Sequence, residues 1–109
     1  MTYRVALVGG GRMGGAMLRG WAERELDIEL TLFEPVPSPE LAELVGSRGW
    51  RLNPNPLLLG VADAVIVGVK PQSFAIACDQ TIKLITAPHT LVMSIMAGLS
   101  IAKIAEALV

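Results

Sequence analysis

The sequence predicts an α/β domain, a parallel sheet flanked by helices on both faces. Three observations carry that expectation. Short apolar runs rich in β-branched residues alternate with helical patterns along the chain. A glycine-rich turn joins the first of those runs to the first helix. The chain is 52% hydrophobic and only 17% charged, with a mean hydropathy of +0.54, as suits strands buried on both faces. The same richness suits a piece whose apolar surface meets a partner domain or subunit. Its 109 residues fit one domain with a substantial core.

Taken in order, residues 4–8 (RVALV) read as the first strand. Residues 12–25 read as a helix, with Met13, Ala16, Met17 and Trp21 on its inner face. Residues 30–34 (LTLFE) form the second strand. Ser38 and Pro39 stand as N-cap and first residue of a helix over 39–45, which Gly46 and Gly49 end. Residues 51–53 make a short third strand, and 56–62 a helix. Residues 64–69 (AVIVGV) are continuous and bulky, as a central parallel strand should be. A helix over 71–85 follows, then a strand over 91–96 and a last helix over 101–108 capped by Ser100. No repeat, linker or low-complexity segment interrupts the alternation. The chain ends with that helix, so it reads as an N-terminal domain of a longer protein.

Composition narrows the function. Nine basic and ten acidic residues give a net charge of -1, with no basic run to mark a nucleic-acid partner. The single cysteine, Cys78, excludes an internal disulfide and points to a reducing compartment. It reads as a small apolar residue packed on a helix. His89, in Ala87-Pro88-His89-Thr90, reads as a loop residue, and no cluster around it suggests a metal. The first apolar run leads into glycines rather than a cleavage site, and no run approaches a membrane span. The expected location is cytoplasmic.

Residues 9–15 hold five glycines in seven positions. Gly9-Gly10-Gly11-Arg12-Met13-Gly14 matches G-x-G-x-x-G between a strand and a helix, the context that pattern requires. Gly9 permits the tight turn, Gly11 lets a pyrophosphate approach the backbone, and Gly14 lets the helix pack close. The helix N-terminus offers free N–H groups and partial positive charge. This is a Rossmann-type dinucleotide site; the bland alternative is a glycine turn with no ligand. A P-loop is excluded, because no Gly-Lys-Ser/Thr follows. Glu34 stands 20 residues after Gly14, at the end of the second strand. A carboxylate there accepts both ribose hydroxyls and repels a 2′-phosphate, which favours NAD over NADP. Lys70 is the first polar group beyond the strongest strand, where ligands of open parallel sheets bind.

Together, VALVGGGRMGGAMLRGW, ADAVIVGVKPQ and SIMAGLSIAKIAEAL make the chain resemble the N-terminal domain of pyrroline-5-carboxylate reductase, over nearly its whole length. The VKP turn and the AGLSI stretch are the more specific parts. The resemblance implies an NAD(P)H-dependent enzyme of proline biosynthesis that reduces the cyclic imine 1-pyrroline-5-carboxylate to L-proline. It implies cofactor contacts at Val8, Gly9, Gly10, Gly11, Arg12, Met13 and Gly14, at Glu34 and Asn55, at Val69, Lys70 and Pro71, and at Ala97. Arg12 and Gly14 replace residues common in the family, and Met96 adds bulk before Ala97-Gly98. The family's C-terminal helical domain, which makes the homo-oligomer and holds the substrate carboxylate and proton donor, lies outside these residues. No catalytic residue is therefore assigned. The alternatives are another NAD(P)- or deazaflavin-dependent reductase on the same domain, or a non-catalytic nucleotide-binding module.

Overall fold

The computed structural model describes residues 2–108. Five strands, β1 (Tyr3–Val8), β2 (Ile28–Phe33), β3 (Arg51–Leu52), β4 (Ala64–Val67) and β5 (Leu91–Ser94), form one sheet. Every pairing is parallel, and the strand order is β3-β2-β1-β4-β5. The expected α/β architecture is therefore present. The order reverses at β1 and β4, so a crevice opens beyond their C-terminal ends.

Strand alternation divides the core in two. Leu7, Leu30, Leu32 and Ile66 face α1 (Arg12–Ala22) and α2 (Pro39–Ser47), where Leu18, Leu41 and Val45 meet them. Ala6, Val8, Val65 and Val67 face the other way, toward α4 (Phe74–Gln80) and α5 (Ile101–Ala107), where Phe74, Cys78 and Ile104 pack. The central strands are thus apolar on both faces, which is why they read as continuous runs. The short α3 (Pro56–Leu59) is capped by Asn55, whose Oδ1 accepts the Leu57 N–H at 3.0 Å. Ser38 and Ser100 cap α2 and α5 as expected, accepting from the Leu41 and Lys103 N–H groups.

Three expectations are corrected. The inner face of α1 is Gly14, Gly15 and Leu18 rather than Met13 and Ala16, which are exposed. Met17 and Trp21 are half-buried beside it. Gly14 lies against the Gly9 backbone and Leu7, and Gly15 against Leu41 and Arg19. The helix expected over 71–85 is in three pieces: a 3-10 turn at Pro71–Ser73, α4, and a second 3-10 turn at Ile82–Ile85. Thr81 leaves the helical region with φ -137°. Past the break, the Ile85 carbonyl accepts the Ala62 N–H at 2.8 Å, which anchors the entry to β4. Helix α3 stops at Leu59 because Gly60 turns the chain at φ 86°.

Cys78 is 2% exposed, and its Sγ lies 3.6 Å from the Ala107 carbonyl it donates to. Burial pushes its thiol above the ordinary value of 9.0. The folded state thus favours the protonated thiol. Its contribution to stability is complete below the unfolded pKa and declines as pH climbs above about 9 toward the raised folded value. We expect the native thiol to resist alkylation at pH 8 and to react on unfolding. Rapid labelling of the folded chain would contradict this packing.

Candidate functional site

The first loop is shaped by backbone contact. Gly9 sits at φ 107°, and a β-carbon there would stand 2.6 Å from the Gly68 carbonyl carbon and oxygen. A β-carbon on Gly14 would overlap the Gly9 carbonyl oxygen. Loop, helix and the exit of β4 therefore meet with no side chain between them. The Gly9 N–H donates to the Phe33 carbonyl and the Gly68 N–H to the Val8 carbonyl, both at 2.8 Å. Gly11, by contrast, has nothing within 4 Å of its missing β-carbon, so the space above it is open.

That opening lies at the start of α1. Gly11 is the N-cap and contributes no side-chain bond, and the first turn carries no acid. The first intrahelical bond runs from the Gly15 N–H to the Gly11 carbonyl at 2.7 Å. The N–H groups of Arg12, Met13 and Gly14 precede it, and they carry the positive end of the helix. Such a bare helix N-terminus is suited to an anion.

Glu34 follows β2 and is cross-linked to the loop. One carboxylate oxygen accepts the Gly10 N–H at 2.8 Å, and the other accepts the Val36 N–H at 3.1 Å. Gly10, which had no role in the sequence pattern, lies against the Glu34 side chain: its missing β-carbon would be 3.3 Å from Cγ. Each carboxylate oxygen keeps acceptor capacity for a ligand. Among the described residues the ion pairs are Arg4–Glu29 and Lys83–Asp79, so Glu34 and Lys70 are committed to neither.

These groups surround a cleft of about 480 Å³ at the C-terminal ends of the strands. Val8, Gly9, Gly11, Glu34, Val69 and Lys70 line it. Gly10 and Gly14 are packed around its base, and exposed Arg12 and Met13 begin the helix beside it. Pro71 opens the turn after Lys70, and Ala97 lies in the turn that follows β5, both outside the lining. Asn55 serves as the cap of α3 and is not in the lining; Asn53, two residues earlier, is. Met96 packs against the core on the α4 and α5 side rather than into the cleft. Ten further residues line it that the sequence pattern does not pick out, among them Asn53 and the apolar pair Val36 and Ile76, which are 84% and 61% exposed. The signal for Asn53 was an Asn at a strand end before Pro54.

A second cleft, of about 410 Å³, lies at the opposite end of the strands and is lined by Arg4, Arg24, Arg48 and Arg51. Arg24 and Arg48 sit just past the ends of α1 and α2, where cations offset the helix dipoles. Among the described residues no three of His, Cys, Asp or Glu gather as metal ligands, and no helix is long and apolar enough to cross a membrane.

Gly9→Ala should abolish ligand binding at the upper cleft and lower thermal stability, because neither Gly68 nor Val69 can retreat without breaking the sheet. Gly11→Ala, facing open space, should leave the melting temperature nearly unchanged while weakening binding. Equal stability losses in both variants, measured by thermal unfolding, would refute this division.

Similar folds are found among solved structures. Prephenate dehydrogenase from A. aeolicus, in complex with hydroxyphenyl propionate and NAD+, superposes with a TM-score of 0.74 at 15% identity, covering 99% of this chain and 39% of that one. 1-Pyrroline-5-carboxylate reductase from Streptococcus pyogenes gives 0.67 at 22% identity, over 96% and 38%. A ribosomal protein L11 methylase from Lactobacillus delbrueckii gives 0.62 at 19%, over 99% and 58%. This chain spans well under half the length of the first two. At these identities the likeness is one of fold. No curated protein matches the sequence at a significant level. The family described as NADP oxidoreductase, coenzyme F420-dependent, matches residues 4–98, and with the Rossmann-type sheet and glycine loop it establishes that the chain belongs to that oxidoreductase family.

Proposed function

We propose that this chain is the NAD(P)H-binding part of a pyrroline-5-carboxylate-reductase-like enzyme, which reduces a cyclic imine to L-proline. The observation that carries the reading is the upper cleft, where a bare helix N-terminus, an anchored carboxylate and exposed apolar side chains face one space. The N–H groups of residues 12–14 hold the pyrophosphate. Glu34 accepts the hydroxyls of the adenosine ribose and disfavours a 2′-phosphate, so NADH binds more tightly than NADPH. Val36 and Ile76 cover the faces of the adenine. Lys70, exposed beyond β4, steadies the far end of the ligand. When bound, the nicotinamide supplies the hydride.

The imine substrate is supported by the VKP turn, the AGLSI stretch and the likeness to the Streptococcus pyogenes reductase. In the intact protein a further helical domain supplies the substrate carboxylate site, the proton donor and the homo-oligomer contact, and the enzyme works in the cytoplasm. Titration of the chain with NADH and NADPH, followed by nicotinamide fluorescence, tests the cofactor; a pyrroline-5-carboxylate assay tests turnover. The expected result is binding, stronger for NADH, without turnover by these residues alone. Failure to bind either cofactor would defeat the dinucleotide reading, and full turnover would defeat the need for a second domain. The family match favours one second reading, a deazaflavin-dependent reductase. Quenching of coenzyme F420 fluorescence by the chain would support it.

A further inference from the structure

Glu34 is held at its side chain by Gly10 and Val36, and its main chain is held by Asn53. Asn53 follows β3 with a left-handed backbone, φ 49°, which Asn tolerates better than most residues. Its own N–H donates to the Leu32 carbonyl at 2.8 Å. Its side-chain amide then pairs with residue 34: the Glu34 N–H donates to Oδ1 at 2.8 Å, and Nδ2 donates to the Glu34 carbonyl at 2.7 Å. The amide offers a donor and an acceptor side by side, as a peptide group does. It thus continues the β2–β3 ladder for one rung past the last paired residues, Leu32 and Leu52. Asn53 and Glu34 both line the upper cleft.

We propose that Asn53 is a positioning residue for cofactor discrimination: its two bonds fix the Glu34 main chain so that the carboxylate stays beside Gly10, where it accepts ribose hydroxyls and repels a 2′-phosphate. The inference rests on the dinucleotide reading above. The glutamate stem has several rotatable bonds, so the place of its charge depends on how firmly the main chain is set. Removing the amide frees that charge to move while the Gly9–Gly68 contact and the start of α1 remain. Discrimination therefore falls more than affinity for the shared pyrophosphate.

Asn53→Gly keeps the left-handed backbone and deletes both bonds. Dissociation constants for NADH and NADPH, from nicotinamide fluorescence, give the preference ratio. We expect the wild-type preference for NADH to fall about fivefold, the scale of one lost hydrogen bond. Asn53→Ser, which keeps a short acceptor, should fall less. In a Glu34→Gln background, Asn53→Gly should change the ratio no further. A merely structural Asn53 would weaken both cofactors together and leave the ratio unchanged, and that result overturns the proposal. So does a wild-type chain that binds both cofactors equally. A wild-type chain that binds neither removes the dinucleotide reading and the inference with it.

Discussion

Bare backbone resting on bare backbone at Gly9 is the contact on which the upper half of the molecule depends. Gly9 lies against Gly68 and Val69, and Gly14 lies against Gly9. The exits of β1 and β4 and the first turn of α1 are thereby drawn to one point. The α1 dipole and its unpaired N–H groups are aimed across the sheet's C-terminal edge as a result. The approach also excludes side chains from the floor of the cleft, so its polarity comes from peptide groups. Gly68 joins the same arrangement, since a β-carbon there would stand 2.9 Å from Ile95 Cδ1. Tight packing on one side of the loop and open space above Gly11 are two results of the same geometry.

A second constraint is the placement of charge. The Glu34 carboxylate is bonded to Gly10 one residue before the α1 N-cap, so an anion stands beside the helix's positive end without filling it. Two backbone bonds hold it, and Asn53 sets the peptide that carries it. The end of β2 and the glycine loop are mechanically linked through this residue. A substitution at Glu34 therefore disturbs the loop as well as the charge, and the two effects separate only when both cofactors are compared.

Much of this was legible in the sequence. AVIVGV and RVALV announced strands buried on both faces, and the cores on either side of Val65 and Leu7 bear that out. The caps Ser38 and Ser100 were readable because their chemistry is local. Burial on α1 was not readable from side-chain size. Its first inner turn is Gly14 and Gly15, and the apolar side chains Leu18, Met17 and Trp21 pack beyond them. The break at Thr81 was hidden for another reason. Phe74, Cys78, Ile82 and Ile85 keep one apolar face through the break, so the pattern looks continuous while the backbone is not. The role of Asn53 is not legible in the sequence, because its partner, Glu34, is 19 residues away and only the fold brings them together. The motif residues Gly9, Gly11 and Glu34 do meet in one cleft.

The loop between β1 and α1 is where a bound dinucleotide is expected to lie. Amide resonances of the isotopically labelled chain, followed during titration with NADH, test it most directly. Saturable shifts concentrated at residues 9–14, 34–36 and 69–73 are expected. Shifts concentrated at Arg24, Arg48 and Arg51 around the lower cleft, or none at all, would contradict it.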